Sequence, residues 1–190
     1  MTIFLPILET PRLRLRKLTR EDVPLYFSRL WSSEAVARYM LWEPHKTLEE
    51  STASLEAVLK RYETGESCRF CIALKETDDL IGIIDLLRFD EETKSCSFAY
   101  MLGEDFWGKG YGTEALKAVI RFAFESLQLE SITADHMAAN PASGAVMQKA
   151  GMVFSHVTPG KYEKNGQSQD AWVYTITRQQ WQQSHISGNN

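Results

Sequence analysis

Four of the chain's 11 glycines fall in the stretch GEDFWGKGYGTEALKAVIRF, at Gly103, Gly108, Gly110 and Gly112, and a helical pattern follows at once. Glycines ahead of a helix offer backbone N–H groups to an anion, and the helix dipole adds partial positive charge at the same place. Three chemistries use these letters. A magnesium-nucleotide loop, G-x-x-x-x-G-K-[ST], is matched by Gly103, Gly108 and Lys109, but Gly110 stands where the metal-holding hydroxyl belongs. A dinucleotide fingerprint, G-x-G-x-x-G, is matched by Gly108 and Gly110, but Thr113 fills the position that needs a small residue, and antiparallel strands precede it. The third chemistry is a pyrophosphate cradled without metal by the amides from Lys109 to Thr113. Lys109 then either adds charge at the phosphates or stands as a solvated loop lysine.

The other chemistry-bearing residues are scattered. Cys68 and Cys71 form a C-x-x-C with no second Cys or His pair at zinc-ligand spacing, and the alternation of RFCIAL around Cys71 reads as a strand. Structural thiols follow, Cys96 included, and no metal site is expected. His136 has the pKa of a base, yet it ends a strand pattern, where a packed histidine is the commoner case. Aromatic side chains gather in and near one Pro-broken segment, with Trp31, Tyr39 and Trp42 beside Glu43, and Tyr162 follows later. Trp42 with Glu43 could receive a cationic amine; Trp31 reads as core.

These residues are held by a regular alternation of elements. RLRLRKL at 12–18 has period two and predicts a strand. Thr19 with Asp22 forms a capping box that opens a helix to about Trp31, SSEAVARYM reads as a second short helix, and Thr47 caps a third that stops at Gly65. CRFCIALKE, LIGIIDLLRF and SCSFAYML form an antiparallel meander. The helix after the glycines spans about 112–127 with Leu116, Ile120, Ala123 and Leu127 on one apolar face. SITADHMA is a strand, PASGAVMQKAG a helix, and MVFSHV and QDAWVYTIT close the sheet. The class is α+β with a mixed sheet of about seven strands.

The run Trp107-Gly108-Lys109-Gly110-Tyr111-Gly112 resembles the signature [Q/R]-x-x-G-x-[G/A] of the GNAT acetyltransferase superfamily, with Trp107 in place of the leading Gln or Arg. FWGKGYGTEAL is similar to what the ribosomal-protein N-acetyltransferase, or Rim-like, branch carries there. ETPRLRLRKLTREDVPLYF, VARYMLWEPHKTLEES and ANPASGAVMQKAGM resemble further segments of that branch, in the same order, covering about 9–181. The resemblance implies one GNAT domain over 1–190, with a frayed tail at 185–190. Its mostly antiparallel sheet would be flanked by helices and splayed between the fourth strand, SCSFAYML, and the fifth, SITADHMA.

It further implies acetyl-CoA as cosubstrate, without metal or covalent enzyme intermediate, and direct attack by a primary amine. The acceptor would be a ribosomal or other protein N-terminus, or a small amine. Tyr100, Met101 and Leu102 would pair their backbone with the pantetheine arm, Met101 N–H would meet the developing oxyanion, and Trp107 to Thr113 would hold the phosphates. Asn140 would meet the pantetheine or reacting centre and Ser143 would lie near the thiol, although Asn before Pro141 is also an ordinary helix start. Lys149 stays open between phosphate contact and surface lysine.

Where the branch commonly has a catalytic Glu, this chain has Ser97. Glu43, Asp85, Glu104, Asp135 and His136 are the replacements, Glu43 first because the Pro44 break would border the acceptor. If none serves, the chain would be an acetyl-CoA-binding sensor or structural subunit. Homodimers are frequent in the family.

Composition sets outer bounds. Of 190 residues 24% are charged and 44% hydrophobic, as in a soluble globular domain, and a net charge of −4 argues against nucleic acid. No apolar run approaches the roughly 20 residues a membrane helix needs, and the start lacks the marks of a secretory leader. A cytoplasmic location with no membrane partner is expected.

Overall fold

The computed structural model describes residues 3–187. Its strands are β1 Leu8–Glu9, β2 Leu13–Arg16, β3 Cys68–Leu74, β4 Leu80–Asp90, β5 Ser95–Leu102, β6 Ser131–Met137, β7 Val153–Lys164 and β8 Gln167–Thr177. Their order in the sheet is β1-β2-β3-β4-β5-β6-β8-β7. The β5–β6 ladder is parallel, and those of β1–β2, β2–β3, β3–β4, β6–β8 and β7–β8 are antiparallel. The α+β, mostly antiparallel architecture is as the sequence implies, with one strand more. The addition is β1, whose two residues are too few to display a period. The helices are α1 Val23–Leu25, α2 Glu34–Ala37, α3 Leu48–Glu63, α4 Tyr111–Glu125, α5 Pro141–Lys149 and α6 Arg178–Ser187. None of these is long and apolar enough to cross a membrane.

The chain forms two compact units: residues through Leu86 with Tyr100–Ala115, and Leu87–Ala99 with the residues from Leu116 on. In the first, the predicted capping box is present at Thr19 and Asp22. The helical run it opens passes through a 3-10 turn and α1 into a π-helical stretch, Tyr26–Trp31. Thr47 caps α3 by accepting from Glu50 N at 3.3 Å, and Gly65, at φ +71°, follows its end. Tyr26, Leu30, Val36, Leu55, Val58, Cys71, Ala73 and Ile83 form one buried cluster, so α1 to α3 pack on a single face of the strands.

In the second unit, Leu116, Ile120 and Ala123 of α4 are buried, as their spacing predicts. On β6, Ile132, Ala134 and His136 are buried, whereas Thr133 and Asp135 on the opposite face are only partly so. β7 runs well past MVFSHV, through Pro159 and Gly160. Its register against β8 shifts between Thr158 and Tyr162. A bulge there accommodates a residue without an N–H donor, and Gly160 (φ +61°) gives its own N–H to Asp170 Oδ1 at 2.9 Å. α6 was not anticipated, because RQQWQQSH has no apolar period. Its start is marked by Thr177 and Gln180, which satisfy each other's backbone N–H groups, and the Trp181 ring lies tilted 5.6 Å from that of Phe124. Of the tail expected to fray, 188–190 lie outside the described residues.

The cysteines are buried. A strand turns residues three apart to opposite faces, so Cys68 and Cys71 do not converge. Burial pushes Cys96 up to about 12 and Cys71 well above the usual thiol range, which keeps both protonated at neutral pH.

Candidate active site

β5 pairs with β6 only at Ser95, Cys96 and Ser97, against Ser131, Ile132 and Thr133. Tyr100, Met101 and Leu102 lie beyond that ladder. The Met101 side chain belongs to the buried cluster of the first unit, which leaves its backbone for any chemistry. Gly82 of β4 makes room for this strand end. A Cβ there would stand 2.5 Å from both Met101 O and Leu102 Cδ2.

After β5 the chain turns at Gly103, whose N–H bonds Ile81 O at 2.9 Å. Trp107 then fastens the loop, its indole Nε1 donating to Leu102 O at 2.8 Å. Gly108 and Gly110 take φ of +70° and +82°, the left-handed region that only glycine enters cheaply. Such alternation in successive residues turns backbone amides toward one concavity, a nest for an anion. The first helical bond of α4 is Glu114 N to Gly110 O, at 3.1 Å. The N–H groups of Tyr111, Gly112 and Thr113 therefore have no carbonyl of their own helix to meet. Lys109 is exposed, with its ammonium 5.8 Å from the Phe106 ring.

The sequence reading missed the clamp that holds this loop. Glu114 accepts from Thr10 Oγ1 (2.7 Å), Arg12 N (2.9 Å) and Arg12 Nε (2.7 Å). Arg12 also donates to Lys109 O at 3.0 Å and lies 4.4 Å from the Tyr111 ring centroid. A carboxylate in the first turn of a glycine-led helix was the available signal; Arg12 was hidden inside a strand pattern. Partial burial raises the Glu114 carboxyl, but the bonds from Thr10 and Arg12 outweigh it and hold the group below its ordinary range. Its stabilisation is therefore complete above pH about 4.5 and is lost as pH falls through the lower folded value. Glu114→Gln is expected to cost about 1 kcal/mol at pH 7, a modest figure because Arg12 is half exposed. In urea unfolding that difference should shrink between pH 5 and pH 3.

Asn140 caps α5, its Oδ1 accepting from Ser143 N at 3.4 Å. The capping use of Asn140 is thus real, and it occupies the carbonyl end of the amide, not the NH2 end. Both residues are half-buried, and Lys149 is exposed at the far end of the helix.

The candidate bases meet different fates. Ser97 Oγ donates to Leu87 O at 3.3 Å. Asp85 is 7% exposed and bound by Arg69 Nε through both oxygens, at 2.8 and 2.9 Å. His136 is buried, stacked 5.7 Å from Tyr174. Its Nδ1 faces Met137 O at 2.8 Å, and its buried Nε2 has no partner among the described residues. Gly144 lies so close that a Cβ there would stand 2.5 Å from Nε2, which leaves no space for a substrate. Asp135 bonds Tyr162 OH and Lys161. Glu104 is exposed in a 3-10 turn, and Glu43 is exposed in the irregular chain before α3. Beside Glu43, Trp31 stacks with His45 (4.7 Å) and meets Trp42 at a tilt (4.4 Å) against the core.

A glycine nest at a helix N-terminus, after a strand whose parallel ladder ends at Ser97, is the layout of an enzyme class. Residues 12–153 match the acetyltransferase (GNAT) domain, and the chain belongs to this family of acetyl-CoA-dependent N-acetyltransferases. It is 29% identical over 180 residues to an uncharacterized N-acetyltransferase of Bacillus licheniformis, p20, spanning 92% of this chain and 97% of the relative. Among solved structures it is similar to RimL, a ribosomal α-N-protein acetyltransferase in complex with coenzyme A. The TM-score is 0.80 at 18% identity, over 90% of this chain and 98% of the other. It is also similar to spermidine N-acetyltransferase from Vibrio cholerae in complex with CoA and spermine. That TM-score is 0.78 at 21% identity, over 91% and 99%.

Proposed function

We propose that the chain, acting as one domain, transfers acetyl from acetyl-CoA to a primary amine, either a protein N-terminus or a small molecule. The observation that carries this reading is the left-handed pair Gly108 and Gly110 ahead of the first-turn amides of α4. That arrangement fits a pyrophosphate held by backbone amides. Lys109 adds charge at its rim. The backbone of Tyr100, Met101 and Leu102, beyond the β6 ladder, takes the pantetheine arm.

The amine reaches the enzyme mostly as ammonium, since its pKa resembles that of lysine, about 10.4. It must lose a proton before its nitrogen attacks the thioester carbonyl. Charge then develops on the carbonyl oxygen, where Met101 N–H donates. The C–S bond breaks as the carbonyl reforms, and the second proton shed by the acylated nitrogen goes to the departing thiolate. Glu43 is the proposed proton acceptor, Asn140 meets the pantetheine through its NH2 end, and Ser143 stands at the thiol.

A thiol-release assay with acetyl-CoA tests this on peptides with Ala, Ser and Met N-termini, polyamines, aminoglycosides and amino acids, from pH 6 to 9. Turnover on one group names the acceptor class, and the acid limb of the profile reports the base. Cofactor binding by calorimetry without turnover on any amine would defeat the catalytic roles; absence of binding would defeat the loop.

A further inference from the structure

Within the second unit, one face of β6 is covered: His136 meets Gly144 of α5, and Ile132 and Ala134 are buried. The other face is polar and half open. The β5–β6 ladder sets Thr133 beside Ser97, the β6–β8 ladder sets Thr133 opposite Thr175, and Asp135 follows two residues beyond. Asp135 is the one charged side chain among these facing positions of β5, β6 and β8. It lies two residues past the last paired position of the β5–β6 ladder, Thr133.

Lys161 and Tyr162 both meet this carboxylate. Adjacent residues of a regular strand point to opposite faces, so one of them should face away. The register shift between Thr158 and Tyr162, around Pro159 and Gly160, brings both to Asp135. Bulges that re-aim side chains in this way are frequent beside functional sites. Tyr162 OH donates to Asp135 Oδ2 at 2.7 Å, and the Lys161 ammonium bonds the same oxygen while lying 5.5 Å from the Tyr162 ring centroid. No described residue donates to Oδ1. The carboxylate is 16% exposed, dry enough for a charge to count and open enough for a guest. The Tyr162 hydroxyl is pushed up by burial and by its bond to Asp135, so it remains a donor at neutral pH. Carboxylate and aromatic face together are a receptor for a primary alkylammonium, and the chain's own lysine already occupies it.

We propose that Asp135, with Tyr162, is the acceptor-binding site for a primary alkylammonium on an unbranched aliphatic stem, and that Lys161 occupies it until the acceptor displaces it. This rests on the acetyltransferase reading above. The acceptor is a free linear diamine or polyamine, or a lysine side chain of a peptide; the α-amine of a peptide lacks the stem.

The test is steady-state acetyl transfer by the full chain to 1,5-diaminopentane, Nα-acetyl-lysine amide and a lysine-free peptide with a free α-amine. Asp135→Asn is expected to raise KM for the preferred stemmed amine roughly tenfold to a hundredfold, the worth of one charged hydrogen bond. The acetyl-CoA KM and kcat should change little. Lys161→Met, which vacates the site, should lower the same KM a few-fold. Structural damage would move both variants in one direction, so opposite shifts support the site. Parallel shifts, no shift, or a preference for the α-amine peptide overturn it. If wild type acetylates no amine, the catalytic reading fails separately. Calorimetric binding of 1,5-diaminopentane, tighter to Lys161→Met than to wild type and lost in Asp135→Asn, then decides whether the site exists.

Discussion

Gly110→Val is expected to raise the KM for acetyl-CoA at least about a hundredfold while lowering Tm by only a few degrees. Gly110 sits at φ +82°, where a β-branched residue costs roughly 1–3 kcal/mol, so the loop should relax to an ordinary φ. A Cβ there would also stand 3.3 Å from Arg12, which is engaged in holding Glu114. Relaxation turns the amides around Lys109 away from their common centre. Hydrogen bonds to a charged group are worth about 1.5–3 kcal/mol each, so losing two accounts for a hundredfold or more. The fold should survive, because strain of 1–2 kcal/mol shifts Tm by about 2–4 °C per kcal/mol in a chain of this size. Gly166→Val is the control. Gly166 has φ +70° in the β7–β8 turn, and nothing lies within 4 Å of a Cβ there. It should lose comparable stability with KM unchanged. An unchanged KM in Gly110→Val at equal Tm loss would remove the nest from the cofactor site.

Arg69→Met should be strongly destabilising, costing about 3–5 kcal/mol in urea unfolding. Arg69 and Asp85 stand directly opposite in the β3–β4 ladder, with side chains 16% and 10% exposed. Removing the guanidinium strands a buried carboxylate and also takes a donor from Tyr26 OH, at 3.2 Å. Folded chains are held by only about 5–15 kcal/mol, so the variant should lie near the edge of unfolding. Arg69→Met with Asp85→Leu should recover most of the loss, since a packed apolar pair serves a buried site as well as an ion pair does. If the double variant is no better than the single, the pair holds the fold by geometry that hydrophobic packing cannot replace. The same pairing removes Asp85 from the list of bases: both its oxygens are taken.

Much of the fold was open to reading because it depends on local periods. The alternation of RLRLRKL, the short apolar run in CRFCIALKE, which is buried on both faces, the capping residues Thr19 and Thr47, and the apolar face of α4 each express a rule within one segment. The conformation of the glycine loop was legible for a similar reason. Two glycines flanking Lys109 before a helix can be read letter by letter, and both adopt the left-handed backbone that the reading needs. α6 escaped because contacts that hold it, Trp181 beside Phe124 and Arg178 on Leu129 O, join separate segments. β7 was cut short because Pro159 reads as a strand end, while a bulge lets the ladder continue through it.

The sequence by itself determined the class, the order of the strands along the chain, and the loop from Trp107 to Thr113, since those follow from side-chain period and backbone freedom. Partnership was decided only by the tertiary structure. It placed Asp85 under Arg69, sealed His136 against Gly144, tied Arg12 and Thr10 to Glu114, and brought Lys161 and Tyr162 together on Asp135. Each of these pairings joins residues of different elements, and the charge, burial and reach of a side chain are set by the neighbour it meets, which its own letter and spacing do not name.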